Sequence, residues 1–261
     1  MPHDSARTSQ GTTDLPPGAR GAALPLHCRV SGAPSGRPTV LLHALGETGA
    51  SWDRLAAELG ARGRLLYVPD LRGHGRSPRS VGYSFAAMYA DVVALLDGHG
   101  LADVDLVGHS MGGHIGWLLA QRQPSRVRRL VIEDTPPPPR DAAAEAELAA
   151  RGPSGDSRAQ VIALYRDFRA LRRSGGLDVT AVRPMIDELR RADAGWWRAL
   201  ADVTAQTLVI SGGLSSPVPR PLLAEVAARV PHGRMAAVDA GHYVHRDAPD
   251  RFDAKVLPFL A

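Results

Sequence analysis

The sequence predicts an α/β fold: a mostly parallel β-sheet with helices on both faces and a small helical cap. Three observations predict it. Short apolar runs alternate with amphipathic stretches along most of the chain, which is the pattern of strand–helix–strand crossovers. The runs are four to seven residues long and bounded by turn residues, as in strands buried on both faces. A length of 261 residues with 44% hydrophobic and 22% charged residues suits one large domain.

The elements follow in order. Residues 1–23 are rich in Gly, Ser, Thr and Pro and are expected to be a disordered tail. Leu24–Val30 reads as an opening strand and Thr39–Leu42 as a short buried one. Ser51–Arg62 reads as a helix with Ser51 placed as its cap. Leu65–Val68 is a strand ended by Pro69. Phe85–Leu96 is a helix, with Phe85, Met88, Val92, Leu95 and Leu96 at helical spacing. Val104–Val107 is a strand, Met111–Gln121 a helix and Val127–Ile132 a strand, closing the first core segment, 24–135. Four prolines, Pro136–Pro139, then stop regular structure. Only helical patterns follow, at Asp141–Arg151, Ala159–Arg173 and Arg183–Ala192, so 136–203 is expected to be a cap inserted between two strands. The second core segment, 204–261, resumes the alternation: Thr207–Ile210, helix Arg220–Val230, Met235–Val238, helix Pro249–Leu260. Right-handed crossovers bring the C-terminal ends of the strands to one edge of the sheet, where ligands bind.

Composition excludes several classes. One cysteine, Cys28, cannot form an internal disulfide. No Cys/His cluster has zinc-like spacing in the sequence, and neither a metal nor an organic cofactor is expected. No apolar run reaches a membrane span, and the polar N-terminus lacks the apolar centre of a secretory signal. A cytoplasmic, soluble protein with no membrane partner is the expectation. The pI near 9.7 comes from arginines, with Lys255 the only lysine. Acids are interspersed among them and no nucleic-acid-binding motif accompanies them, so nucleic acid is not an expected partner.

Chemistry enters at Gly108-His109-Ser110-Met111-Gly112, a G-x-S-x-G between a strand and a helix. A tight turn there lifts the serine hydroxyl above the sheet. A serine nucleophile requires a general base. His242 follows the last strand and so shares an edge with Ser110; His245 is the alternative. An acid must orient the base, and Glu133, Asp134 and Asp239 all lie near strand ends. Residues 42–46 follow a strand and could supply one oxyanion donor, and the amide of Met111 another.

With these motifs in order, Leu42-His43-Ala44-Leu45-Gly46, Pro69-Asp70-Leu71-Arg72-Gly73-His74-Gly75-Arg76-Ser77, Gly108-His109-Ser110-Met111-Gly112-Gly113 and Gly241-His242, the chain resembles the α/β-hydrolases from about residue 24 onwards. The resemblance implies an eight-stranded sheet, a Ser–acid–His triad, a helical cap after the sixth strand, and oxyanion donors from the backbone of Leu45 and Met111. Two departures stand out. The common His-Gly pair is His43-Ala44 here. The usual acid position after the seventh strand holds Gly212-Gly213-Leu214-Ser215-Ser216, with no carboxylate. Some branches take the acid from the end of the sixth strand instead, and their spacing from the nucleophile selects Asp134 over Glu133.

The function this implies is hydrolysis of a small-molecule ester or lactone by Ser110, His242 and Asp134. His43, Ala44, Tyr165, Trp196 and Trp197 are the expected substrate contacts. C–C bond hydrolysis, lyase chemistry, cofactor-free oxygenation and a low-turnover binding role are the alternatives on the same scaffold.

Overall fold

A computed structural model describes residues 23–151 and 176–261. Seven strands form one sheet: β1 (Cys28–Gly32), β2 (Pro38–Leu42), β3 (Leu65–Pro69), β4 (Val104–His109), β5 (Val127–Glu133), β6 (Gln206–Ser211) and β7 (Gly233–Ala237). Their order is β1-β3-β2-β4-β5-β6-β7. All pairings are parallel except β1 with β3. The described residues thus hold one strand fewer than the resemblance implies.

The opening strand also differs from expectation. It begins at Cys28 rather than Leu24. Leu24 N–H donates to Asp91 Oδ1 at 2.7 Å and His27 N–H to Ser77 Oγ at 2.8 Å, so side chains, not a neighbouring strand, take these amides.

Period-two alternation sorts the strand residues between two cores. Val40, Leu42, Leu106, Leu130, Ile132 and Val209 face one layer; Leu41, Val107, Val131, Leu208 and Ile210 face the other. The first layer is built on α2 (Phe85–Gly98), α3 (Met111–Arg122) and a later helix, Arg220–Arg229, through Met88, Val92, Ile115, Leu119, Leu223 and Val226. The second is built on α1 (Asp53–Ala61) and the C-terminal helix Pro249–Leu260, through Leu55, Leu59, Phe252 and Val256. Strands without a polar face follow from burial on both sides.

The first helix starts later than expected and without the expected cap. A 3₁₀ turn, Gly49–Trp52, precedes it and is capped by Thr48, which accepts from the Ala50 amide at 3.3 Å, while the helix itself begins after Trp52 with no side-chain cap from Ser51. Ser51 lies inside the turn.

Between β5 and β6 the described residues form the helices Ala142–Arg151, Val182–Leu189 and Ala194–Ala199. The third has no counterpart in the sequence reading; Asp193 starts it by accepting from Trp196 N–H at 2.8 Å. The helix expected at Ala159–Arg173 lies outside the described residues. No helix among the described residues is long and apolar enough to cross a membrane.

Candidate active site

The strand ends bring three segments together. Ser110 sits between β4 and α3 with φ 49° and ψ −111°, a backbone region that residues other than glycine rarely occupy. The turn is enforced by close packing. A Cβ on Gly112 would lie 2.3 Å from the Leu42 carbonyl oxygen. The Ser110 amide donates to the Glu133 carbonyl at 3.0 Å, which ties the turn to the end of β5.

Asp134 follows β5 and is fully buried, also at positive φ (42°). Its backbone N–H donates to the Ile210 carbonyl at 2.8 Å, fixing it across to β6. Its carboxylate accepts three contacts: Gly212 N–H at 2.7 Å on Oδ1, and the Ser216 hydroxyl and His242 Nδ1 on Oδ2, the last at 2.8 Å. The His242 loop is held over it by backbone contact, Gly241 N–H donating to the Gly212 carbonyl at 2.9 Å. A Cβ on Gly212 would lie 2.0 Å from the Gly241 oxygen, so this approach requires glycine at 212.

The other carboxylates near the strand ends engage different partners. Glu133 is fully buried and faces His245, with its oxygens 2.8 and 3.0 Å from His245 Nδ1 and one accepting the His245 amide at 2.8 Å. Asp239 accepts from the Ser215 hydroxyl at 3.1 Å. Ser216 is the residue that sequence reasoning missed as a partner of the acid. It was legible only as the absence of a carboxylate.

A third buried pair lies beside the nucleophile turn. His109 Nδ1 is 3.4 Å from Glu47 Oε2. Burial alone would lower the His109 pKa, but the Glu133 charge, the Glu47 hydrogen bond and the nearby carboxylates raise it to about 9. Burial opposes ionisation of Glu47, yet the His109 contact and the histidines around it hold its carboxyl well below the usual range. The His109 ring stands 4.7 Å from that of His242 and 5.2 Å from that of His245, centre to centre.

Of the expected oxyanion donors, Met111 opens α3, so its amide is one of the helix-start donors without an intrahelical acceptor. Leu45 lies in a turn whose flanking amides are fixed, Ala44 N–H on Glu47 Oε2 and Gly46 N–H on His74 Nε2, both at 3.3 Å.

The expected substrate contacts divide. His43 is fully buried; its Nε2 accepts from Leu71 N–H at 2.9 Å and its Nδ1 donates to the Ala44 carbonyl at 2.8 Å, so both ring nitrogens serve the backbone. Ala44 is buried beside it. Trp196 packs in the core, with its ring stacked on His114 and edge-on to Trp117. Trp197 donates its indole N–H to the Pro138 carbonyl at 2.8 Å and lines a cavity of about 550 Å³ with Pro136, Leu148, Ile186, Pro217 and Leu222. Tyr165 lies outside the described residues. The loop after β3 is a structural knot: Asp70 accepts from Gly49 N–H at 2.8 Å and Arg76 N–H at 2.9 Å, and Arg72 forms a buried pair with Asp91 at 2.5 and 2.6 Å.

Comparison with known proteins adds to this geometry. The family model described as alpha/beta hydrolase fold matches residues 38–175. The chain is similar to the sn-1-specific diacylglycerol lipase ABHD11 of mouse, 30% identical over 286 residues that cover 98% of this chain and 90% of that one. It is also similar to the protein provisionally named carbamate hydrolase RutD from Azorhizobium caulinodans, 30% identical over 93% of this chain and 97% of the relative. Among solved structures, a hydrolase from Pseudomonas aeruginosa PA01 superposes with a TM-score of 0.74 at 27% identity, over 90% of this chain and 94% of that one.

Proposed function

The chain belongs to the α/β-hydrolase fold family, and on that premise we propose that it hydrolyses carboxylic esters or lactones through Ser110, His242 and Asp134. The observation that carries this reading is the His242 Nδ1–Asp134 Oδ2 contact of 2.8 Å at the strand ends that also bear Ser110. A carboxylate on Nδ1 fixes the tautomer with the lone pair on Nε2, the state a general base needs.

In this mechanism Ser110 Oγ attacks the substrate carbonyl while His242 Nε2 takes its proton. The amides of Leu45 and Met111 stabilise the oxyanion. The intermediate collapses to an acyl-enzyme as His242 returns the proton to the leaving alkoxide. Water, deprotonated by His242, then releases the carboxylic acid and regenerates Ser110. Asp134 stays ionised throughout and stabilises the imidazolium. These steps need only this chain's residues and water.

Residues 136–203 act as the cap that selects the substrate. The cavity bounded by Pro136, Pro217 and Trp197 begins two residues past Asp134 and one past Ser216, and its mainly apolar lining suits an acyl chain or an alicyclic lactone. The test is a panel of p-nitrophenyl esters of increasing chain length together with lactones, run alongside fluorophosphonate labelling. Turnover of esters or lactones with labelling confined to Ser110 supports the reading. Labelling at another serine, or none with no turnover on either class, overturns it.

A further inference from the structure

Several buried side-chain atoms without a hydrogen-bond partner gather at one place beneath the nucleophile turn. Glu47 Oε1, His109 Nε2 and His245 Nε2 are among them, and the first and last can each offer a lone pair and lie 3.9 Å apart. Trp52 stacks on His245 with ring centres 4.2 Å apart. Buried polar atoms rarely go unpaired, and a concentration of them marks a missing partner.

The three residues have the makings of a ligand set. Glu47, His109 and His245 each offer one ligand atom, and these atoms lie within 4.8 Å of one another. Glu133 holds His245 Nδ1 at 2.8 Å, which leaves the Nε2 lone pair turned towards Glu47 Oε1 at 3.9 Å. That separation is too long for a hydrogen bond. The other separation, 3.4 Å between Glu47 Oε2 and His109 Nδ1, matches two ligands each about 2.0–2.1 Å from one tetrahedral ion. A carboxylate behind a ligating histidine is the usual outer partner of a metal site.

Charge points the same way. Glu47, Glu133 and Asp134 place three carboxylates in this buried network. Arg246 Nη1 lies 3.8 Å from Glu47 Oε1. A bound cation beside these three carboxylates offsets part of the cost of burying their charge.

We propose that Glu47, His109 and His245 bind one divalent ion of zinc type, with Glu133 as the outer partner that orients His245. Two imidazoles and one carboxylate select zinc or a similar transition metal over magnesium or calcium. On binding, the hydrated ion exchanges waters for these ligands, and the proton shared by His109 and Glu47 is released to solvent. The ion ties together the loop after β2, the end of β4 and the loop that carries His242. It has no part in attack on the substrate.

The test uses the full chain stripped with a chelator. Zinc is added, excess is removed by desalting, and bound metal is measured, with Co²⁺ as a spectroscopic substitute. The expected result is one zinc per chain and the visible absorption of tetrahedral Co²⁺. Glu47→Gln and His245→Leu should abolish stoichiometric retention, and Glu133→Gln should weaken binding by roughly 10–100-fold. Circular dichroism checks that each variant folds. Retention of well under one equivalent by the wild-type chain overturns the proposal without recourse to variants. So does binding that survives unchanged in folded Glu47→Gln, which would assign the metal to other histidines.

Discussion

Asp134 Oδ2 lies 2.8 Å from His242 Nδ1, while the neighbouring Glu133 turns to His245 at the same distance. Glu133 closes β5 while Asp134 leaves the strand at φ 42°, so one step in sequence separates two carboxylate–histidine pairs. The two should behave differently when cut. Asp134→Asn presents an amide N–H or a mispaired oxygen to His242 and favours the wrong tautomer, so kcat should fall by roughly 10⁴. Glu133→Gln should leave kcat within about tenfold but lower stability by a few kcal/mol, about 3–5 being usual for a broken buried pair. Steady-state kinetics with thermal unfolding of both variants separate the roles; comparable losses of kcat would refute the assignment.

Ser110 combines an exposed function with a strained backbone. Ser110→Gly should relieve about 1–3 kcal/mol of strain and give back about 0.4–1 kcal/mol through the freer unfolded chain. A net gain of about 1 kcal/mol corresponds to a Tm increase of about 2–4 °C. Ser110→Ala keeps the strain and should leave Tm near that of the parent. Both should lose the proposed ester or lactone turnover. An unchanged Tm for the glycine variant would show that the turn stores no strain.

The Ser216 hydroxyl donates to Asp134 Oδ2, the oxygen that also faces His242. A hydrogen bond to a charged group is worth about 1.5–3 kcal/mol, and part of that positions the carboxylate. Ser216→Ala should lower kcat by roughly tenfold with little change in KM. Ser215→Ala, which loses a contact to Asp239 rather than to Asp134, should be close to silent. The reverse order would remove Ser216 from the account.

His74 and His114 are buried and neutral, with pKa values lowered to about 3 by burial first, then by the neighbouring His43 at His74 and the Arg122 charge at His114. In the unfolded chain both protonate near 6.5. Between these values the unfolded state binds more protons, so stability is intact above pH 6.5 and falls as pH drops towards 3. Each ring contributes up to about 1.4 kcal/mol per pH unit in that window. His114, held between Phe85 and Trp196 with Nδ1 unpartnered, gives the cleaner variant. His114→Leu should flatten the acid limb and move the acid-unfolding midpoint to lower pH; an unaltered limb would show that His114 does not titrate there.

Local chemistry made much of this protein legible in its sequence. Buried parallel strands declare themselves as short apolar runs between helical patterns, because burial on both faces favours apolar side chains at most positions. The Gly108–Gly112 turn was readable because only glycines admit the close approach of Leu42 and α3. The limits of the opening strand were not readable: whether the Leu24 and His27 amides meet a strand or the side chains of Asp91 and Ser77 depends on residues 67 and 50 positions away. The helix at Ala194–Ala199 was also hidden, since two adjacent tryptophans carry no helical period.

The sequence by itself determined the alternation of strands and helices, the serine turn and a choice among two histidines and three carboxylates. Only the tertiary structure decided how these were paired: Asp134 with His242 and Ser216, Glu133 with His245, Asp239 with Ser215. The physical reason is that side-chain type and periodicity are local properties. Pairing is set by strand register and loop packing between segments about a hundred residues apart, such as the 108 between Asp134 and His242.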